Sequence, residues 1–253
     1  MKIIFTTKSG MQLITKHLKA EICKRLCLIS DEIAKRKNND LGQNVFLNYR
    51  IFAKKYDKRT NFKAVVYNNE DEFIICFVGT DSMCLKDHVA NLKMGFGKAS
   101  RQMILAKNFA KSIIENNYST KSIVSGHSEG GSEALFVGLN FGLETYTYNA
   151  FPLSNSLKKS LIKNYGTVNS ISNYRAPKDI VSKLFYTDIG NTYVVENLQK
   201  KLNANFFLAM KHAHSLKNLG NCRGAIPIAV YKKKHKYFID KIFRLQDLIC
   251  KSC

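Results

Sequence analysis

The sequence predicts an α/β fold in which helices flank a mostly parallel central sheet. Strand-like and helix-like segments alternate after residue 72, and this rhythm is typical of parallel strands joined by crossover helices. The predicted strand over residues 72–78 is apolar almost throughout, as a strand covered on both faces is. A serine flanked by glycines stands between a β-branched run and a helical segment. We therefore expect a single domain over residues 1–253.

The predicted elements follow the spacing of the apolar residues. Apolar side chains at steps of three and four predict an amphipathic helix from Met11 to Ile33. Residues 62–67 and 72–78 are predicted to form a hairpin, whereas residues 45–56 fit a helix or a strand equally well. The later predictions are helices over 99–116 and 155–163 and strands over 145–151, 168–174 and 192–195. On the first of these helices the predicted apolar side consists of Met103, Ile104, Phe109, Ile113 and Ile114.

The composition limits the classes of protein that fit. The 253 residues are 45% hydrophobic, which suits one well-packed domain. No apolar run is long enough to span a membrane, and the start of the chain lacks the apolar core of a signal peptide. We therefore expect cytoplasmic synthesis without a signal peptide, and export, if it occurs, by a route that needs no leader.

The charge is strongly basic, with a formal net value of +21. Such a surface attracts nucleic acid or anionic membrane, or reflects a lysine-rich composition. The lysines are spread along the chain without a nucleic-acid motif, so we expect no nucleic-acid partner. The seven cysteines are expected to be free thiols. Because Cys250 and Cys253 have no second pair at metal spacing, no metal or cofactor is predicted.

The segment over residues 122–131 carries the candidate chemistry. Its G-x-S-x-G motif follows a predicted strand and precedes a predicted helix, which is the context of a nucleophile elbow. The sharp turn raises the hydroxyl of Ser128 above the sheet. Side chains at Gly126 or Gly130 would collide with the neighbouring strand or helix. The motif therefore predicts Ser128 as a nucleophile.

A nucleophilic serine needs a histidine base and an acid that orients the base. In proteins with this elbow the acid and then the histidine follow the serine along the chain. Asp179, just after a predicted strand, is the preferred acid, and Asp188 is the alternative. Two later histidines compete for the base, of which we prefer His214 to His212. A third, His235, lies in a lysine run that disfavours an imidazolium.

The three histidines that precede the acid are expected to be structural: His17, His88 and His127. The negative oxygen of a tetrahedral intermediate also needs preorganised hydrogen-bond donors. We expect one donor to be the backbone N–H of Glu129, directly after the serine. The second is expected in the loop after Val78, where Thr80 offers its N–H and its hydroxyl.

Several of these segments resemble the class 3 lipase family of α/β-hydrolases and the bacterial lipase-like proteins related to it. Residues 77–82, followed by 87–92, resemble the family's F-R-G-T/S segment and its D-W-x-x-N-L segment. Residues 125–131 resemble its G-H-S-x-G-G motif, and residues 148–152 its T-F-N-x-P strand end. Further on, residues 177–181 resemble its D-x-V acid motif. The likeness continues to the histidine segment that ends at about residue 219.

The resemblance implies an α/β-hydrolase fold with an N-terminal helix and a lipid carboxylic ester hydrolase that uses no metal. It implies a triad of Ser128, Asp179 and His214, with Thr80 and Glu129 around the oxyanion. Within the single domain it implies a catalytic core over residues 62–219. An N-terminal helical extension over 1–44 and a basic C-terminal helix over 231–253 complete the predicted organisation.

The basic charge and this resemblance together predict a phospholipase of the A1 or lysophospholipase type, with lipid or phospholipid as substrate. The segment 231–251 combines a lysine cluster with apolar residues at helical spacing. It fits peripheral contact with an anionic membrane or a helix packed on the sheet equally well. A soluble esterase or thioesterase for small acyl substrates, and a non-catalytic binding protein, remain alternatives. Residues 86–100 are a candidate lid by position, and leaderless secretion as an effector is a further hypothesis.

Overall fold

The computed structural model describes residues 8–79, 99–117, 119–165, 168, 170–177, 179, 189–196 and 212–229. Within these residues one sheet is flanked by helices. The elements are α1 (Lys8–Lys35), β1 (Asn44–Phe46), β2 (Tyr49–Asp57), β3 (Phe62–Asn68), β4 (Glu72–Val78), α2 (Arg101–Asn116), β5 (Lys121–His127), α3 (Glu129–Phe141), β6 (Glu144–Tyr148), α4 (Asn155–Tyr165), β7 (Ile171–Arg175), β8 (Asn191–Val194) and β9 (Ile226–Pro227). Two 3₁₀ turns, Leu216–Asn218 and Cys222–Gly224, lie near the end of the described chain.

The described strands join one sheet in the order of the sequence. Strands β4 to β8 pair in parallel. Strands β1 to β4 pair antiparallel on one side, and β9 pairs antiparallel with β8 on the other. The predicted α/β fold is therefore confirmed, with a parallel centre and antiparallel edges. Because the five central strands run in the same direction, their carboxyl ends lie along one edge of the sheet.

The predicted hairpin is confirmed, since β3 and β4 pair antiparallel around residues 69–71. The side-chain oxygen of Asn69 accepts hydrogen bonds from the N–H groups of Asp71 and Glu72, which closes the turn. The ambiguous segment over residues 45–56 is extended and supplies β1 and most of β2. It adds two strands to the antiparallel side of the sheet.

The predicted first helix is confirmed, and the second half of its predicted apolar stripe packs on the core: Leu26 and Ile33 are buried, and Ile22 and Ile29 are partly buried against them. Met11, Ile14 and Leu18 of the predicted stripe are exposed. Small residues also face the sheet, with Ala20 and Cys23 fully buried. Small side chains let the helix approach a layer of core tyrosines made up of Tyr67, Tyr146, Tyr148 and Tyr174. Hydroxyls of this layer are hydrogen-bonded to α1, for example that of Tyr67 to Ser30 Oγ at 2.9 Å.

Two other predictions need correction. The strand predicted over residues 145–151 ends at Tyr148, because Asn149 has a left-handed φ of 44° and turns the chain out of the sheet. On α2 the predicted Ile113 is buried together with Ala106 and Ala110. The predicted Met103, Phe109 and Ile114 pack partly buried against the core, and only Ile104 of the predicted side is exposed. Small residues again face the sheet because they allow a close approach. Three further predictions fall outside the described residues. They are the C-terminal helix over 231–253, the pair Cys250 and Cys253 at its end, and nearly all of the candidate lid.

The described cysteines are free and buried, as the sequence predicts: Cys23, Cys27, Cys76 and Cys222. Burial raises the pKa of the Cys23 and Cys76 thiols well above the ordinary value, so these groups pack as neutral side chains. In the described part of the chain no group of His, Cys, Asp or Glu side chains could hold a metal ion. The helices searched there are all too short or too polar to cross a bilayer.

A buried ion pair joins α1 to the end of the described chain. Lys24 Nζ lies 2.9 Å from Glu21 Oε2, and both side chains are 6% exposed. The ammonium also donates hydrogen bonds to the carbonyl oxygens of Gly220 at 2.5 Å and Leu219 at 3.3 Å. The N–H of Cys222 donates to Glu21 Oε2 at 2.9 Å. The pair therefore holds the turn over residues 219–222 against the helix.

Replacing Lys24 should destabilise the protein, because Glu21 and two backbone carbonyls would lose a buried partner. For Lys24→Met we expect a loss of about 3 kcal/mol in the free energy of unfolding. The double variant Glu21→Gln/Lys24→Met should recover part of it, since no buried charge is then left over. Denaturant unfolding measures both. Lys111→Met, which removes an exposed pair with Glu115, is the control and should cost under about 1 kcal/mol. Equal costs for Lys24→Met and Lys111→Met would contradict this account.

Candidate active site

Ser128 lies at the junction of β5 and α3 in a strained conformation, with φ 57° and ψ −123°. Neighbouring backbone groups hold it there. Its N–H donates to the carbonyl oxygen of Tyr148 at 3.1 Å, and its carbonyl accepts from Phe151 N–H at 3.1 Å. A non-glycine residue persists in this region only when its surroundings fix it. The turn therefore presents the serine at the carboxyl edge of the sheet.

The flanking glycines allow β5 and α3 to approach closely. A Cβ added to Gly126 would lie 2.1 Å from the carbonyl oxygen of Gly130. A Cβ added to Gly130 would lie 2.3 Å from the carbonyl oxygen of Phe77 on β4. Both distances are far below an allowed contact, so a side chain at either position would push the helix off the sheet. These are the collisions that the G-x-S-x-G spacing predicts.

The structure brings Ser128, His214 and Asp179 together at this edge. His214 Nε2 lies 2.8 Å from Ser128 Oγ, and His214 Nδ1 lies 3.0 Å from Asp179 Oδ1. The three residues are 4%, 2% and 0% exposed, respectively. An Nδ1–H that donates to the carboxylate leaves Nε2 as an acceptor for the serine hydroxyl. In this arrangement the imidazole can remove the proton of the serine.

The sequence left His212, His235 and Asp188 as alternative catalytic residues, and the structure describes one of them. His212, the other candidate base, is half-buried, and its carbonyl oxygen accepts a hydrogen bond from Asn218 Nδ2 at 2.9 Å. His214, two residues later, is the histidine in contact with Ser128. Asp188 and His235 lie outside the described residues. Asp179 lies four residues after Arg175, the carboxyl end of β7, in the region where the chain order predicts an acid.

Of the two expected oxyanion donors, Glu129 lies within the described residues and Thr80 does not. Glu129 is the first residue of α3, at the positive end of the helix dipole. Thr80 lies outside the described residues, but Gly79 before it is described. A Cβ added to Gly79 would lie 2.5 Å from the His127 carbonyl oxygen and 3.4 Å from Glu129 N. The backbone after β4 therefore packs directly on the elbow.

His127 has a contact that the sequence did not indicate. Its Nε2–H donates to the carbonyl oxygen of His214 at 2.7 Å, which fixes its tautomer because a carbonyl only accepts. The two rings lie 5.1 Å apart between centroids. Burial, and secondarily the charge of a protonated His214, lower the pKa of His127 to about 3. His127 therefore stays neutral near pH 7.

The central parallel strands and the strand–turn–helix elbow at Ser128 have the arrangement of the α/β-hydrolase fold. The structure is similar to a lipase from Yarrowia lipolytica, with a TM-score of 0.53 and 14% identity over 83% of this chain and 90% of that one. It is also similar to a triacylglycerol lipase from Penicillium expansum, with a TM-score of 0.52 and 12% identity over 81% of this chain and 88% of that one. These likenesses establish the fold.

The family follows from the sequence comparison. A family model described as phospholipase-like, the Tle-like phospholipase domain, matches residues 37–225, and the chain belongs to this family. A curated relative, the extracellular phospholipase A1 of Serratia liquefaciens, is 28% identical over 117 residues. That match covers 46% of this chain and 36% of the relative, so it spans only about a third of the relative's length. The resemblance to lipases and bacterial lipase-like proteins is confirmed.

The neutral state of partly buried His127 predicts a pH dependence of stability. Between pH 6.5 and about 3 the unfolded chain binds a proton at this histidine and the folded chain does not. The free energy of unfolding should therefore fall with decreasing pH, by up to about 1.4 kcal/mol per pH unit from this group. In His127→Gln the fall should be shallower, as denaturant unfolding at a series of pH values will measure. At pH 8 His127 is neutral in both states, so the difference in the free energy of unfolding between the wild type and His127→Gln reports the loss of its hydrogen bond alone. If the two curves of free energy against pH ran parallel below pH 6.5, the low pKa assigned to His127 would be refuted.

Proposed function

We propose that the protein hydrolyses carboxylic esters of phospholipids through an acyl-enzyme intermediate on Ser128. The observation that carries the proposal is the continuous hydrogen-bonded series from Ser128 Oγ through the His214 ring to Asp179 Oδ1, with distances of 2.8 and 3.0 Å. Membership of a family of phospholipase-like domains supports the reaction class. The A1 type is supported by the name of the Serratia relative. A lysophospholipase is the alternative specificity.

In the first half of the reaction His214 Nε2 accepts the hydroxyl proton of Ser128 while Oγ attacks the acyl carbonyl carbon. Asp179 stabilises the imidazolium that forms and keeps its ring oriented. The tetrahedral intermediate collapses as the imidazolium gives its proton to the departing alcohol oxygen, which leaves the acyl group on Ser128. A water molecule then repeats these steps and releases the fatty acid and the free serine.

The negative oxygen of each tetrahedral intermediate would be bound by the N–H of Glu129 and by Thr80. Support for Glu129 comes from its position at the start of α3, where the positive end of the helix dipole favours negative charge. Support for Thr80 comes from Gly79, whose backbone packs against the elbow. The Glu129 carboxylate takes no part in this role, because the donor is its backbone.

An anionic bilayer is the substrate surface that the charge favours. The net charge of +21 attracts acidic lipids, by about 1 kcal/mol for each basic residue near the surface. We propose peripheral contact with such a membrane, outside the producing cell, since the Serratia relative is named an extracellular enzyme. Detection of the protein only inside producing cells would contradict the extracellular part of this proposal.

Phospholipid vesicles test the reaction directly. On vesicles rich in anionic phospholipid the wild type should release fatty acid, and Ser128→Ala should lower the rate by at least about 10³-fold because the nucleophile is lost. Ser112→Ala, on the exposed side of α2, is the control and should stay within about twofold of the wild type. Cleavage of short soluble esters alone, dependent on Ser128, would indicate a soluble esterase. No Ser128-dependent hydrolysis of either substrate would reject enzymatic activity.

The oxyanion assignment predicts a specific glycine requirement. In Gly79→Ala the new methyl group would displace backbone beside Glu129 N, so kcat should fall by about 10²–10³-fold. Gly224→Ala is the matched control, because a Cβ there meets no atom within 4 Å. Kinetics on a soluble ester and the thermal midpoint should be measured together. A folded Gly79→Ala protein with the kcat of the control would contradict the assignment.

A further inference from the structure

Two side chains beside the proposed triad converge on the backbone of its histidine. Asn149 Nδ2 donates hydrogen bonds to the carbonyl oxygens of His214 at 3.0 Å and Ala213 at 3.2 Å. His127 Nε2 donates to the same carbonyl oxygen of His214 at 2.7 Å. Both lone pairs of that oxygen are thus used, so its position is fixed from two directions.

The other end of the Asn149 amide holds the segment that carries the acid. Asn149 Oδ1 accepts a hydrogen bond from Ala176 N–H at 2.9 Å. The carbonyl oxygen of Ala176 in turn accepts from the N–H of Asp179 at 3.2 Å. One buried amide therefore links the segment after β7 to the segment that bears His214. Asp179 and His214 are 35 positions apart in the sequence.

The backbone at position 149 suits asparagine. Its φ of 44° is left-handed, and asparagine adopts this region more readily than most residues. Its N–H donates to the carbonyl oxygen of Tyr174 at 2.9 Å, and the residue is fully buried. Aspartate would keep the shape and the acceptor but lose the NH₂ donor. Glycine would keep the backbone conformation and lose both side-chain functions.

We propose that Asn149 is a positioning residue for His214, and that its side chain sets the placement of the base relative to the acid, with His127 as a second support. The inference rests on the proposed function, because it assigns His214 as the base. His127 is suited to this role since it is neutral near pH 7 and adds a donor without adding a charge beside the imidazolium. Displacement of a catalytic group by about 1 Å costs about 10²-fold in rate.

The test compares Asn149→Asp and Asn149→Gly with the wild type and with the Ser112→Ala control. We measure kcat and KM on a soluble short-chain ester over a range of pH, and thermal midpoints at each pH. Asn149→Asp should lower kcat by about 10²-fold with KM within about threefold, because positioning affects chemistry more than substrate binding. A folded Asn149→Asp protein with kcat within twofold of the wild type would overturn the inference and leave the proposed function standing.

A second readout separates the two proposals. The proton on His214 Nδ1, hydrogen-bonded to Asp179, gives a downfield NMR signal that reports the geometry of this pair without any substrate. Its loss or shift in Asn149→Asp supports positioning, and an unchanged signal contradicts it, even if the wild type hydrolyses no ester and the proposed function fails. If neither variant at position 149 folds, His127→Ala replaces them. Removing one of the two donors should then lower kcat by about tenfold, and an unchanged kcat would reject the inference.

Discussion

The strained turn at Ser128 is the constraint on which the rest of the site depends. Its left-handed backbone is stable only because β6 and the segment after it supply hydrogen bonds to the turn. The close packing of β5, α3 and β4 around it requires glycine at positions 126 and 130. The same packing brings the end of β4 against the elbow, and therefore brings the proposed oxyanion donors to the serine.

The segment that carries His214 is held by contacts with other elements. It belongs to no central strand. Residues 212–214 are helical, and the 3₁₀ turn Leu216–Asn218 follows them. Asn149 and His127 hold its backbone from the side of the elbow. On the other side Lys24 of α1 holds the turn at Gly220. The N-terminal helix therefore does more than cover one face of the sheet, because it also supports the segment that carries the proposed base.

The sequence predicts the parts of this structure that depend on local pattern. The elbow, the hairpin and the parallel centre follow from glycine spacing, alternation of elements and apolar runs, as Gly126 and Gly130 illustrate. The apolar spacing predicts only part of the buried side of α1. Leu26 and Ile33 are buried as expected, but the small Cys23 also faces the sheet and the larger Ile14 faces solvent. Chain order predicts an acid and a histidine after Ser128, but two histidines two residues apart look alike in sequence. Their difference arises from tertiary contacts.

The supporting residues were the least predictable part of the site. Asn149 was visible only as one letter of a strand-end motif, and its three side-chain hydrogen bonds join segments that are distant in the chain. His127 was expected to be structural, and nothing in its neighbours indicates that its ring would reach the carbonyl oxygen of His214. Such contacts depend on how loops fold over one another at the end of the sheet. The spacing of residues along the sequence does not predict them.

The central claim is that Ser128 carries the acyl group during turnover. Rapid acid quenching during hydrolysis of an activated ester, followed by peptide mass spectrometry, tests it most directly, because a good leaving group makes acylation fast relative to deacylation. The account predicts an added acyl mass on the peptide that contains Ser128, which appears within the first turnover and is absent when His214 is replaced by alanine. An acyl group found on a different residue, or turnover without any acylated peptide, would contradict the account.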